Sequence, residues 1–195
     1  MYTYVKAYAA FKNLPQTSRV LPYARELHAG QVRRGKDSVP YIYHPLLIAC
    51  HALALGLDED NLISTALLHD VCEDCGVPVE ELPVNEETKE AVSLMTKPKY
   101  KGPKSDQYYE TYYAGIEKNP IASLVKLLDR CNNISSMATG FSRERMVGYI
   151  KETERWIYPL LHHTKHSFPQ YSNQIFLIKY HMTSLVETLK RQLSA

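Results

Sequence analysis

The sequence predicts an all-α protein folded as one helical bundle, and three observations carry that expectation. Apolar residues recur at helical spacing along nearly the whole chain, and no segment offers a convincing run of alternating strand residues. Helix-opening residues and helix-ending glycines punctuate the pattern. The length of 195 residues, with 45% hydrophobic and 23% charged residues, suits one domain with a full core and is short for two.

Taken in order, an N-terminal helix fits within 2–12, where tyrosines dilute the periodic signal. Helices are expected near 16–29, 45–56, 59–75, 86–96, 106–117, 120–138, 142–165 and 169–193. Pro45 stands at a first-turn position, Asp58 precedes the helix from 59, and Asn119-Pro120 opens the helix from 120. Ser142, followed by Glu144 and Arg145, opens the next, while Gly30, Gly56 and Gly140 suit helix ends. Two connections are polar and basic: "VRRGKDSVPY" (32–41), just before His44, and "KPKYKGPKSD" (97–106), with four lysines. The second reads equally as a solvated linker or as a flap closing over a substrate. No internal repeat or composition shift marks a second domain, so residues 1–195 are expected to form one unit.

Composition also excludes. A formal charge of +2, with basic residues spread along the chain, argues against a nucleic-acid coat and leaves room for a local basic pocket. The N-terminal "MYTYVKAYAAFKN" is not a secretory signal. The longest apolar stretch, "LLIACHALALG" (46–56), is interrupted by His51 and too short for a bilayer. A cytoplasmic protein without a membrane partner is expected, with Cys50, Cys72, Cys75 and Cys131 as reduced thiols.

The chemistry concentrates in "ALLHDVCEDC" (66–75). On one helix His69, Asp70, Glu73 and Asp74 would point to about 0°, 100°, 40° and 140° around the axis, all on one side. Carboxylates crowded there repel one another unless a cation neutralises them. A divalent ion bound by nitrogen and oxygen needs two or three imidazoles and one or two carboxylates from different helices. His44 in "YIYHP", His69 and Asp70, and Asp129 in "LVKLLDRCNNISS" are the candidates. In that last helix Lys126, Asp129, Asn133 and Ser136 share one face. Taken singly each has a plainer reading: His44 as a hydrogen-bonded structural residue, Asp129 as an ion pair with Arg130. The order H…HD…D, with Glu-Asp one turn beyond, carries more weight than any member.

"HAGQVRRGKDSVPYIYHPLLIA", "ALLHDVCED" and "LVKLLDRCNNI" resemble, in order, three signature stretches of the RelA/SpoT-type HD-domain hydrolases of (p)ppGpp. The resemblance runs from about 21 to 161, with the helix 169–193 beyond it, and is greatest to the stand-alone small alarmone hydrolases. It implies an HD-type helical bundle that removes the 3′-pyrophosphate of (p)ppGpp to leave GDP or GTP. It implies Mn²⁺, or another divalent ion, held by His44, His69, Asp70 and Asp129, with Glu73 and Asp74 as the catalytic acidic pair. Arg33 would pack on the guanine, a role suited to a planar guanidinium. Asn133 would sit beside the nucleotide, Ser136 would supply a hydroxyl, and Arg34 matches a basic position. Lys126 falls in the match without an evident role.

Two alternatives remain at this stage. One is another HD-domain nucleotide phosphohydrolase, acting on ppApp, the 2′-phosphate of NADPH or deoxynucleotides; the other is a non-catalytic alarmone-binding module. The helix 169–193 either packs internally or forms a homodimer contact. Cys72 and Cys75 have C-x-x-C spacing, yet no second pair follows at zinc-ribbon distance. His51 reads as a partly buried structural histidine, Tyr108 and Tyr109 as packing residues before pocket-lining ones, and His162, His163 and His166 as a solvated cluster.

Overall fold

Eleven consecutive residues of one helix, Ile121 to Cys131, are buried, and the rest of the molecule is arranged around them. In the computed structural model, which describes residues 1–33, 38–97 and 105–194, the elements run α1 (Tyr2–Lys12), α2 (Pro15–Leu27), α3 (Tyr43–Ala54), α4 (Asp60–Leu68), α5 (Val71–Asp74) and α6 (Glu86–Met95). They continue as α7 (Asp106–Ile116), α8 (Pro120–Gly140), α9 (Arg143–Glu152), α10 (Tyr158–Ser167) and α11 (Ser172–Ser194). Helix α8 packs against α3, α4, α6, α7, α10 and α11. A helix buried on all sides must be apolar all round or pair every polar group it carries. Leu124, Val125, Leu127 and Leu128 meet the first condition, while Lys126, Asp129 and Arg130, also buried, must meet the second.

The fold is all-α, as expected; among the described residues the only bridge of β type joins Val32 to Pro40. Its two backbone bonds run from Arg33 N–H to the Val39 carbonyl (2.8 Å) and from Tyr41 N–H to the Gln31 carbonyl (2.9 Å). The ends of the basic connection are thus pinned together just ahead of α3. Asn119 and Ser142 cap their helices through side-chain bonds to Ala122 N–H and Arg145 N–H. Asp58 does not cap α4; its carboxylate takes the Tyr8 hydroxyl (3.0 Å) and the Lys12 ammonium (2.8 Å). Asp60 instead caps α2 across space, accepting from the N–H groups of Gln16 (2.9 Å) and Thr17 (2.8 Å). No described helix is long and apolar enough to cross a membrane.

Three expected boundaries shift. The single helix over 59–75 is two, α4 and α5, separated at His69 and Asp70. The His69 Nδ1 lies 2.9 Å from the Ala66 carbonyl, the acceptor that the Asp70 N–H would use in an unbroken helix. The helix over 142–165 contains a π turn at Thr153–Ile157, ending two residues before Pro159, whose ring clashes with a carbonyl of regular α geometry and has no N–H to offer. The last helix begins at Ser172, after a 3₁₀ turn at Pro169–Tyr171. One face of α11 is buried within the chain by Ile175, Ile178, Met182 and Val186, so this helix packs internally; Phe176 and Tyr180 point outward.

Candidate active site

Three helices converge on one group of side chains. His44 enters from the first turn of α3, His69 and Asp70 from the break after α4, and Asp129 from the middle of α8. Ligand atoms of His44, His69 and Asp70 all lie within 4.8 Å of one another. Asp70 Oδ2 is 3.0 Å from His69 Nε2 and 3.6 Å from His44 Nε2; Asp129 Oδ1 is 3.2 Å and 3.9 Å from the same nitrogens, His44 first. Both Nδ1 atoms face away, to the Asn132 side-chain oxygen (2.7 Å) and the Ala66 carbonyl (2.9 Å). A carbonyl can only accept, so each Nδ1 donates, and in the neutral rings the Nε2 lone pairs point toward the two carboxylates.

This donor set fits a divalent cation. The buried His69 Nε2 makes no directed hydrogen bond despite its closeness to Asp70. Burial alone would lower the His69 pKa, but Asp70 and Asp129 outweigh it and raise it to about 9. Burial likewise disfavours the Asp70 carboxylate, yet the two imidazoles hold its pKa well below the usual range. Nitrogen and oxygen donors gathered from separate helices suit a hard or borderline divalent ion better than a thiolate-seeking metal.

The remaining polar residues of α8 are paired. Lys126, buried, donates to Asp129 Oδ2 at 2.9 Å; this gives Lys126 its place. Arg130 does not pair with Asp129. It turns to Glu152 and Thr153 and lies 3.9 Å over the Tyr149 ring. Consecutive residues on a helix point about 100° apart, so Asp129 and Arg130 serve different neighbours. Asn133 bridges the site: its Nδ2 donates to Asp129 Oδ1 (2.6 Å), and its oxygen accepts from Arg33 (2.8 Å). Arg33 also reaches Asn132 (3.0 Å) and the Ser136 hydroxyl (3.3 Å). Arg34 and residues 98–104 of the lysine-rich connection lie outside the described residues.

Glu73 and Asp74, on the short α5, stand exposed at the rim. Glu73 faces Lys97, with its carboxylate 3.8 Å from the ammonium. Partial desolvation, with Asp70 and Glu73 nearby, pushes the Asp74 pKa upward. Together these groups line a cavity of about 470 Å³, whose far wall is built by Tyr109, Phe141, Arg145 and Tyr149. The guanidinium of Arg145 lies 3.9 Å over the Phe141 ring.

Sequence reasoning missed several of these. Tyr41 donates its hydroxyl to Asp70 Oδ2, and Tyr109 lines the cavity rather than only packing. Asn132 was legible in principle: it falls with Asp129, Asn133 and Ser136 on one helical face. His51 is half-buried, 5.8 Å from the His181 ring. Cys75 Sγ sits 3.6 Å from His28 Nδ1, and Cys72 is buried. Within the exposed histidine cluster, the His162 and His166 rings lie 4.2 Å apart.

A helical bundle whose central helix and its neighbours present two imidazoles and two carboxylates to a polar cavity defines the class as an all-α domain with a candidate cation site. No protein-family model matches the chain. A guanosine-3′,5′-bis(diphosphate) 3′-pyrophosphohydrolase of Aquifex aeolicus is 34% identical over 152 residues, 75% of this chain and 21% of that protein. A GTP pyrophosphokinase of Streptomyces coelicolor is 30% identical over 154 residues, 76% of this chain and 18% of that protein. Among solved structures, a metazoan ortholog of SpoT that hydrolyses ppGpp matches with a TM-score of 0.66 at 19% identity. That match covers 91% of this chain and 94% of that one. Over about three quarters of its length the chain is similar to RelA/SpoT-type (p)ppGpp hydrolases, and it spans about a fifth of the length of the curated relatives it matches.

Proposed function

We propose that the chain hydrolyses the 3′-pyrophosphate of (p)ppGpp, taking up one water and releasing pyrophosphate with GDP or GTP. The observation that carries this reading is the joining of His44, His69, Asp70 and Asp129 at the floor of a cavity into which Arg33, Lys97 and Arg145 also reach. His44, His69, Asp70 and Asp129 would hold Mn²⁺ or another divalent ion, which supplies Lewis acidity toward phosphate oxygens and a lowered pKa for water. Glu73 takes the proton of the attacking water, and Asp74 orients it. Lys126 stays paired with Asp129 and keeps that carboxylate ionised and fixed. Arg33, held by Asn133 and Ser136, offers its planar face to the guanine, with Asn133 beside the nucleotide and Arg34 adding positive charge. Lys97 and Arg145 are placed to neutralise phosphate oxygens. In this reading the chain works in the cytoplasm as one catalytic domain.

Product analysis tests it. Incubation of the purified chain with ppGpp and Mn²⁺ is expected to release GDP and pyrophosphate, and both EDTA and Asp70→Ala are expected to abolish release. Intact ppGpp alongside cleavage of ppApp, NADPH or a deoxynucleotide would move the substrate while keeping the chemistry. Binding of ppGpp without any cleavage would leave a sensor.

A further inference from the structure

The Asn132 side-chain oxygen stands between two groups that the proposed reaction needs in different places. It lies 2.7 Å from His44 Nδ1 and 3.0 Å from an Arg33 terminal nitrogen. A guanidinium can only donate, which identifies the shared atom of Asn132 as its carbonyl oxygen rather than its amide nitrogen. That in turn obliges His44 Nδ1 to donate, which leaves Nε2, the nitrogen facing Asp70 and Asp129, as the one able to offer a lone pair to a cation. One oxygen with two lone pairs is thereby used completely, by one cation-site imidazole and one substrate-facing arginine.

We infer that Asn132 is a positioning residue that orients His44 for the divalent ion and Arg33 for the nucleotide through a single amide oxygen. The inference rests on the reading given under Proposed function. It accounts for the loop geometry as well. The bonds between Arg33 and Val39 and between Gln31 and Tyr41 bring the arginine back over α8, and Asn132, Asn133 and Ser136 receive it there. Loss of the Asn132 oxygen leaves Arg33 with Asn133 and Ser136 but leaves His44 Nδ1 without its acceptor. The two partners therefore respond differently: the imidazole is freed to rotate or change tautomer, while the guanidinium is only loosened. Outer partners of metal-binding histidines typically contribute about 10- to 100-fold in metal affinity.

The test is Mn²⁺ binding to the full chain, read from the loss of the free-ion electron paramagnetic resonance signal. Asn132→Leu, which removes the acceptor at similar volume, is expected to weaken Mn²⁺ binding by about 10-fold or more. Asn132→Asp, which keeps an acceptor oxygen, is expected to bind at least as tightly as the wild type. Arg33→Met is expected to leave Mn²⁺ affinity within about twofold, since His44 keeps its acceptor. At saturating Mn²⁺, Asn132→Leu and Arg33→Met each raise KM, and the double variant falls short of the product of their effects. Asn132→Leu binding Mn²⁺ within twofold of the wild type, with unchanged far-ultraviolet circular dichroism, would overturn the inference alone. A wild-type chain that binds no Mn²⁺ would overturn the metal reading and this inference together. Should the leucine variant lose its helical signal, Asn132→Ser, too short to bridge both partners, takes its place in the same titration. The serine variant is expected to bind Mn²⁺ more weakly, and wild-type affinity there would overturn the inference.

Discussion

Lys126 and Asp129 form a buried ion pair on the central helix, at 2.9 Å. Removing one partner of such a pair leaves an uncompensated buried charge, at a cost of roughly 3–5 kcal/mol. A divalent ion beside Asp129 would supply part of the missing compensation, so Lys126→Met is expected to lower the melting temperature more in EDTA than in saturating Mn²⁺. Thermal melts of both proteins in both conditions measure the difference, and equal losses would mean that Asp129 does not face the ion. His51 makes a pH-dependent contribution of another kind. Burial, with the nearby His181 ring, lowers its pKa in the folded chain. Below the unfolded value of about 6.5 the unfolded chain therefore binds more protons, and stability falls as pH drops through that range. His51→Gln is expected to flatten the pH dependence of the urea midpoint between pH 7 and 5, by comparison with the wild type.

At the scale of the element, the helices end where side chains or glycines replace their backbone bonds. Gly56, following α3, has φ +75°, and a Cβ added there would meet nothing within 4 Å. The cost of Gly56→Ala is thus conformational, about 1–2 kcal/mol. Gly148, inside α9, also has open space around an added Cβ but helical backbone. Gly148→Ala is expected to stabilise by about 0.5–1 kcal/mol, because alanine loses less backbone freedom on folding. Urea unfolding of the two variants should move in opposite directions, and a shared sign would refute the backbone argument. The break between α4 and α5 is likewise made by a side chain. A run of helix-compatible residues from 59 to 75 gave no sign that the His69 imidazole would take up the Ala66 carbonyl. The π turn did have a signal, Pro159, one residue into α10.

Across the whole molecule, period and punctuation in the sequence were enough for an all-α bundle, since burial of an apolar stripe every three to four residues leaves few other arrangements. The spacing of Lys126, Asp129, Asn133 and Ser136 likewise made one polar face of α8 legible, because helix geometry is local. What remained hidden depends on side chains far apart in sequence. Asp60 caps a helix that begins 45 positions earlier, Tyr41 bonds to Asp70, and Arg130 turns from its neighbour Asp129 to Glu152. By itself, then, the sequence determined the helical class, most helix positions and a candidate set of chemical residues, all properties of local spacing and residue type. The tertiary structure alone decided that α3, α4 and α8 cross where His44, His69, Asp70 and Asp129 meet, and that Asn132 joins His44 to Arg33. Such meetings follow from how buried faces pack and how each buried polar group finds its partner, and no local pattern encodes either.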